Sequence, residues 1–528
     1  MPSRDLDDAA VVVHVAAQVV ASGVASITSV DVDQVLAYDV AHAASAVATS
    51  RVLLEYAGKG DDEARLAFGF VADAVHDLGT RINGREEMWG VGHGALDVTR
   101  DFVREYRSPA FVAALAGVEG PLHLDPFFEL VRSSFRRFAN DKIRPVAEHV
   151  HRTNSDVPEE VISGLAELGG FGLSIPDEYG GGADGTANDY LAMVIATEEL
   201  SRASLGIGGS LITRPEILTR ALVRGGTAAQ KQKWLPALAS GETLCAVAVT
   251  EPDYGSDVAG VRVSATPHGA GWLINGTKTW CTFAARADVL MLLARTDPAT
   301  TNHKGLSCFV VPKPRGDGHG FAFTQVADDH DAPGGGTMQG RAIDTIGYRG
   351  MHSYELAFAN WWVAHDNLIG EDDGIGRGFY FQMEGFENGR LQTAARAVGL
   401  MQAAYEAACA YANDRVVFGR PIADFELTKV KLGRMAILIT AARQFAYHVS
   451  ELMSQGEGML EASMVKAYVC RAAEWVTREA LQIHGGMGYA EEYPVSRYFV
   501  DARVLSIFEG ADETLCLKVI ARRLLDAR

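Results

Sequence analysis

At 528 residues the chain exceeds what one hydrophobic core supports, so two to four domains are expected. Apolar residues at 48% and charged residues at 22% give the balance of a soluble globular protein. The net charge of −19 argues against a nucleic-acid binder, which would carry a basic stripe.

Six cysteines (Cys245, Cys281, Cys308, Cys409, Cys470 and Cys516) are scattered, with no CxxC pair and no metal-ligand spacing. That pattern suits a reducing compartment and buried thiols. The apolar run from Ala9 to Ile27 follows Asp5, Asp7 and Asp8 rather than a basic stretch, and His14 and Gln18 interrupt it. It is therefore not read as a signal peptide, and no uninterrupted transmembrane span is expected. The protein reads as cytoplasmic, with neither a membrane nor a nucleic acid as partner.

Residues 1–120 are Ala-rich, and Val35, Leu36, Val40, Ala43, Ala44 and Val47 recur at helical steps. Gly58-Lys59-Gly60 breaks this helix, and Asp61-Asp62-Glu63 opens the next with charges suited to an N-terminus. The same turn wording returns at Gly456-Glu457-Gly458, so the extension either mimics part of the C-terminal helical domain as an extra helical layer or is an ordinary Ala-rich helical hairpin with no such relation. Residues 121–242 stay helical, with Pro and Gly marking the turns. From Thr243 the period shortens: Cys245 to Val249, Val289 to Leu293 and Leu306 to Val311 read as strands. Trp272-Leu273-Ile274 followed by Asn275-Gly276 reads as a hairpin. A β domain over 243–372 is expected, with a flexible insertion at 327–340. Residues 373–528 return to long amphipathic helices suited to a four-helix bundle.

The final segment carries the clearest chemistry. Glu509 lies between Ser506-Ile507-Phe508 and Gly510-Ala511, an apolar setting that would raise its pKa from about 4.3 toward that of a base. Gly510 allows another group to approach the backbone. The same residues could equally be an ordinary helix start, with Asp512 and Glu513 at its positive end. QIHGGMGY from Gln482, IFEGADE from Ile507 and the IARRLL ending together resemble the acyl-CoA dehydrogenase family, and further blocks extend the likeness from about Asp125 to the C-terminus. The extension lies outside it. The resemblance implies an α+β multidomain fold: an N-terminal helical domain, a small middle β domain and a C-terminal four-helix bundle, here preceded by the extra helical extension.

The resemblance also assigns roles. Thr250-Glu251-Pro252-Asp253-Tyr254-Gly255-Ser256-Asp257 matches the family's TEPxxGSD block, a loop whose hydroxyls and free N–H groups can meet a flavin edge and a phosphate. Thr250 is implied at the flavin ring, and Ser256, beside Gly255, at the FAD pyrophosphate and near the substrate. Lys278 to Thr282 resembles KxWIT, which implies Trp280 covering the isoalloxazine and Thr282 bonding near N5. Glu387 and Arg390, at the start of a long helix, are implied close to the substrate and the base. Arg415 and Phe418 match RxxFG, and with Gln482, Gly485 and Gly486 they are implied to reach the FAD of a neighbouring subunit. An oligomer follows, a homotetramer or homodimer. The family's Thr after EG is Ala511 here, Glu513 stands where Gln is common, and Phe508 replaces Tyr.

The implied reaction is α,β-desaturation of an acyl-CoA. Glu509 takes the α-proton, the β-hydrogen leaves as hydride to flavin N5, and an electron-transferring flavoprotein accepts the electrons. The Glu509 N–H and a flavin ribityl hydroxyl would hold the thioester carbonyl. Phe508 and Gly510 flank the substrate. SLITRPEILTRAL at Ser210 to Leu222 and DTIGYRGMHSYE at Asp344 to Glu355 resemble the methylsuccinyl-CoA branch, which forms mesaconyl-CoA in the ethylmalonyl-CoA route. Its extra carboxylate needs a buried cation; Arg214 is the first candidate, with Arg349 and His352 behind it. Other short or branched acyl-CoAs, an O2-using acyl-CoA oxidase and a non-enzymatic flavin-binding protein are the alternatives.

Overall fold

The computed structural model describes residues 2–185, 188–316, 318–327 and 333–527. They form two compact units, 1–132 with 390–528 and 133–389.

The first unit begins with three long helices, α1 (Pro2–Ser26), α2 (Gln34–Ala57) and α3 (Asp61–Ile82). Asp61, Asp62 and Glu63 do fall in the first turn of α3, where the helix dipole favours negative charge. Contrary to the expectation drawn from its interruptions, Asp5–Ser26 is long and apolar enough to cross a membrane by length and composition. In the folded unit that apolar face packs on α2 and α3.

The second unit opens along α4 (Pro126–Phe138) and continues through α5 (Arg144–Thr153), α6 (Glu159–Glu167), α7 (Asn188–Ala203), α8 (Thr213–Gly225) and α9 (Ala228–Ala239). Thr227 and Gln230 form a reciprocal capping box that starts α9. Eight strands follow: β1 (Cys245–Ala248), β2 (Ser264–His268), β3 (Gly271–Thr282), β4 (Val289–Arg295), β5 (Leu306–Pro312), β6 (Gly320–Thr324), β7 (Thr337–Ile343) and β8 (Ser353–Ala364). They make one sheet in the order β1-β4-β2-β3-β8-β7-β6, with β5 on β4. Leu218, Leu222, Leu235 and Leu238 of α8 and α9 share a core with Cys245, Met291 and Val310 of β1, β4 and β5.

Two details of the β region differ from the sequence reading. Asn275-Gly276 is not a hairpin turn: it lies inside β3, whose pairing with β8 shifts register between Ile274 and Gly276. Gly276 has φ +127° at this bulge, and Asn275 Oδ1 accepts from the Asn360 N–H at 2.8 Å, so the turn-forming pair is used to bend a strand. The hairpin falls earlier, where His268 pairs with Gly271. The insertion expected at 327–340 lies partly outside the described residues, and its end is not a loop, because Thr337 begins β7.

The chain re-enters the first unit along α10 (Gly378–Asp414), followed by α11 (Glu426–Ser454), α12 (Met459–His484) and α13 (Pro494–Leu505). The N-terminal helices do form a layer on this bundle: α2 packs on α11 and α12, and α3 on α11. Phe70 meets Tyr468 edge to face at 5.5 Å, and Arg434 Nε is 2.8 Å from Asp73 Oδ2. The echo between the two glycine turns is one of wording alone. Gly456 and Gly458 are left-handed at φ +78° and +79°, whereas Gly58 is right-handed at −69° and Gly60 extended at 175°.

Candidate active site

In the second unit the loop after β1 is held by a buried ion pair. Glu251 accepts the N–H groups of Arg262 and Val263 at 2.7 and 2.8 Å, and Lys278 Nζ donates to its carboxylate at 2.9 Å. Lys278 also donates to the Val249 carbonyl at 2.8 Å, and the Thr279 N–H to the Thr250 carbonyl at 2.8 Å. Burial pushes the Lys278 ammonium down, against the pull of Glu251. The pair therefore locks the Thr250 to Asp257 loop onto β3, leaving Gly255 and Ser256 exposed. Sequence reasoning assigned no role to Glu251 or Lys278, although each lies inside a quoted motif.

A second bulge in β3, between Lys278 and Cys281, explains the presentation of Trp280. Alternation alone would place Lys278, Trp280 and Thr282 on one face. Trp280 instead adopts φ +57° and is 55% exposed, while Lys278 and Cys281 are buried. Thr282 is buried, with its hydroxyl 3.0 Å from that of Ser353. An exposed Trp280 beside a loop carrying hydroxyls offers a surface suited to a flat heteroaromatic ring and a phosphate.

Arg214 is buried on α8, and its Nη2 donates to the Tyr348 hydroxyl at 3.2 Å; that hydroxyl donates to Ser210 Oγ at 2.6 Å. Tyr348, at φ +57°, is a partner that the sequence did not single out. Arg349 and His352 are engaged elsewhere. Arg349 donates to the Thr345 and His151 carbonyls at 3.0 and 2.9 Å, and His352 Nδ1 is 3.2 Å from Asp156. Glu387 is half-buried on α10, one residue before Asn388, whose amide donates to Glu216 on α8.

In the first unit, Glu509 occupies the turn after α13 with φ +54°, the left-handed region that a glutamate rarely adopts. The turn is closed by the Asp512 N–H donating to the Ser506 carbonyl at 3.1 Å. Lys466 of α12, fully buried, donates to the Gly510 carbonyl at 2.5 Å. Burial pushes the Lys466 ammonium down, opposed by the negative potential of Cys470 and Glu509, while Arg390 pushes the same way as burial. Arg390 and Glu509 are thus brought to the same buried lysine, and Arg390 Nη1 donates to Ser463 Oγ at 3.2 Å. Phe508 lies under Arg396, whose guanidinium carbon is 4.7 Å from the ring centre. Lys466 was missed; its only signal is one lysine inside the apolar run Met464-Val465-Lys466-Ala467.

Arg415, Gln482, Gly485 and Gly486 are all exposed, and Phe418 is 96% exposed at φ +50° in the tip of a two-residue turn with Gly419. Tyr411 of α10 stacks on His484 of α12 at 4.2 Å, and the Arg415 N–H donates to the Tyr411 carbonyl. The ends of α10 and α12 therefore bring this group together on one surface.

Models of the acyl-CoA dehydrogenase N-terminal, middle and C-terminal domains match residues 128–242, 246–361 and 376–525. The chain is 42% identical over 446 residues to (2S)-methylsuccinyl-CoA dehydrogenase of Cereibacter sphaeroides, spanning 83% of this chain and 78% of that one. It is 34% identical over 417 residues to the mitochondrial isovaleryl-CoA dehydrogenase of Solanum tuberosum, 78% of this chain and 93% of the relative. The structure of glutaryl-coenzyme A dehydrogenase with glutaryl-CoA matches with a TM-score of 0.68 at 32% identity, over 77% of this chain and 97% of the other. The chain belongs to the acyl-CoA dehydrogenase family, FAD-dependent oxidoreductases that act on acyl-CoA thioesters.

Proposed function

We propose that the enzyme desaturates (2S)-methylsuccinyl-CoA to mesaconyl-CoA, with Glu509 as the base. The observation that carries the base assignment is the left-handed Glu509 itself, a strained carboxylate held on a turn gripped by Lys466. Such strain costs about 1–3 kcal/mol and persists where the surroundings over-determine it, as at reacting groups. Glu509 takes the α-proton, which becomes removable once the thioester carbonyl is polarised by a donor such as the Glu509 N–H. Bound FAD supplies the acceptor for the β-hydrogen and its electron pair. Thr250, Ser256, Trp280 and Thr282 hold the flavin, and Arg415, Phe418, Gln482, Gly485 and Gly486 complete a neighbouring subunit's cofactor site in a homo-oligomer. An electron-transferring flavoprotein reoxidises the enzyme, which works in the cytoplasm.

Two observations support the dicarboxylic substrate: the 42% likeness over most of the chain and the buried guanidinium of Arg214. A planar guanidinium binds a carboxylate through two parallel bonds, and here Tyr348 and α8 hold it in place. The 34% likeness to an isovaleryl-CoA enzyme favours an uncharged branched acyl-CoA as the second reading. Anaerobic titration with methylsuccinyl-CoA, butyryl-CoA and isovaleryl-CoA, followed by the visible flavin band, separates them. Rapid bleaching by methylsuccinyl-CoA alone is expected; bleaching only by an uncharged thioester would discard this substrate. In Arg214→Gln, kcat/KM for methylsuccinyl-CoA should fall by ~10–10²-fold, with 2-methylbutyryl-CoA little changed. An unchanged preference would exclude Arg214.

A further inference from the structure

We infer that Tyr38 and His42, on helix α2 of the N-terminal extension, are positioning residues for the Glu509 turn. The inference rests on Glu509 being the base. Tyr38 Oη donates to Asp512 Oδ2 at 2.5 Å, and His42 Nε2 lies 3.2 Å from the same oxygen. Cys516 Sγ completes the cluster, 3.4 Å from His42 Nε2. His42, Asp512 and Cys516 are all buried. Asp512 is also the residue whose N–H closes the turn onto Ser506, so one residue fixes the turn by its backbone and anchors it by its side chain. The Glu509 turn is thereby held from two sides, by Lys466 of the bundle at Gly510 and by the extension at Asp512.

The strain at Glu509 is what gives this arrangement a consequence. A left-handed glutamate relaxes toward ordinary φ unless its flanks are fixed, and relaxation re-aims the carboxylate. The three groups His42, Asp512 and Cys516 offer ligand atoms within 4.8 Å of one another, the spacing of a metal site. Their chemistry fits a tether better. Asp512 already takes two donors on one oxygen, burial together with Asp512 pushes the Cys516 thiol up and keeps it protonated, and the charge of Arg471 reaches the cluster. The extension thus reaches the reaction centre through a hydrogen-bonded carboxylate rather than through packing alone.

The test uses the full-length flavoenzyme and whichever of methylsuccinyl-CoA, butyryl-CoA and isovaleryl-CoA bleaches the wild type. Tyr38→Phe removes one hydrogen bond and little volume. Its flavin reduction rate should fall at least about tenfold, within the ~10²-fold that a small misplacement of a reacting group costs. KM and FAD content should be retained, and the acid limb of the pH–rate profile should move. His42→Gln, which keeps a donor toward Asp512, should be milder than His42→Leu, and it carries the test if Tyr38→Phe does not fold. Lower thermal stability with an unchanged reduction rate and pH profile would overturn the proposal and leave a purely structural tie. Glu509→Gln, measured alongside, separates the two readings. If it reduces flavin normally, the base assignment fails whatever Tyr38→Phe does; if it is dead while Tyr38→Phe and His42→Leu are unimpaired, only the positioning role fails.

Discussion

Trp280, Phe418 and Glu509 each adopt the left-handed φ that a residue with a side chain rarely takes. For Glu509 the test is direct. A positioned general base contributes ~10²–10⁴-fold, so Glu509→Gln should slow flavin reduction by at least about 10²-fold while FAD stays bound, read by anaerobic stopped-flow. The anchoring cluster makes a separate, thermodynamic prediction. Burial pushes His42 below its ordinary value of 6.5, despite Asp512, and it is faced by Tyr38, Asp512, Cys516, Arg471 and Arg81. Burial would raise Asp512, but the donors His42 and Tyr38 hold it below 3.8. In both cases the unfolded chain binds the proton more readily, so stability falls as pH drops, beginning near 6.5 for His42 and near 3.8 for Asp512. Melting temperature should decline between about pH 6.5 and 5 in wild type, and less steeply in His42→Gln.

At the scale of elements, β3 does the most. Its two bulges put Gly276 at a bend and turn Trp280 outward, and Lys278 between them pins the preceding loop. Removing one partner of a buried ion pair leaves the other unpaired and costs about 3–5 kcal/mol. Lys278→Met should therefore lower unfolding free energy by about that much and loosen FAD, measured by denaturant titration and cofactor retention. Adding Glu251→Gln should recover part of the loss, since Gln still offers an oxygen to a backbone N–H and carries no orphan charge. The strand runs were legible in the sequence because β-branched and aliphatic residues cluster there. The bulges were not, because a register shift depends on the partner strand; Asn275-Gly276 reads as a turn until β8 is known to run alongside it.

At the scale of the molecule, the extension is built into the same compact unit as the C-terminal helices. Phe70 on Tyr468, Asp73 on Arg434 and Gly69 against Ile437 join α3 to the bundle. Deleting residues 1–119 would uncover those apolar faces of α11 and α12, and large exposed patches drive aggregation. The truncated chain should be recovered mainly insoluble, or with a markedly lower melting temperature, in a side-by-side expression and thermal-shift comparison.

The sequence alone determined the order of helical and β regions, the family, and the residue types that its chemistry requires. These rest on local periodicity and on short contiguous motifs such as Ile507-Phe508-Glu509-Gly510 and Thr250 to Asp257. Only the tertiary structure decided which groups from distant segments share one environment. Lys466 with Gly510, Glu251 with Lys278, Arg214 with Tyr348, and Tyr38 and His42 with Asp512 are each separated by tens to hundreds of residues. A buried polar group must find a partner, but the rule does not say which one, and only the packed chain supplies the answer.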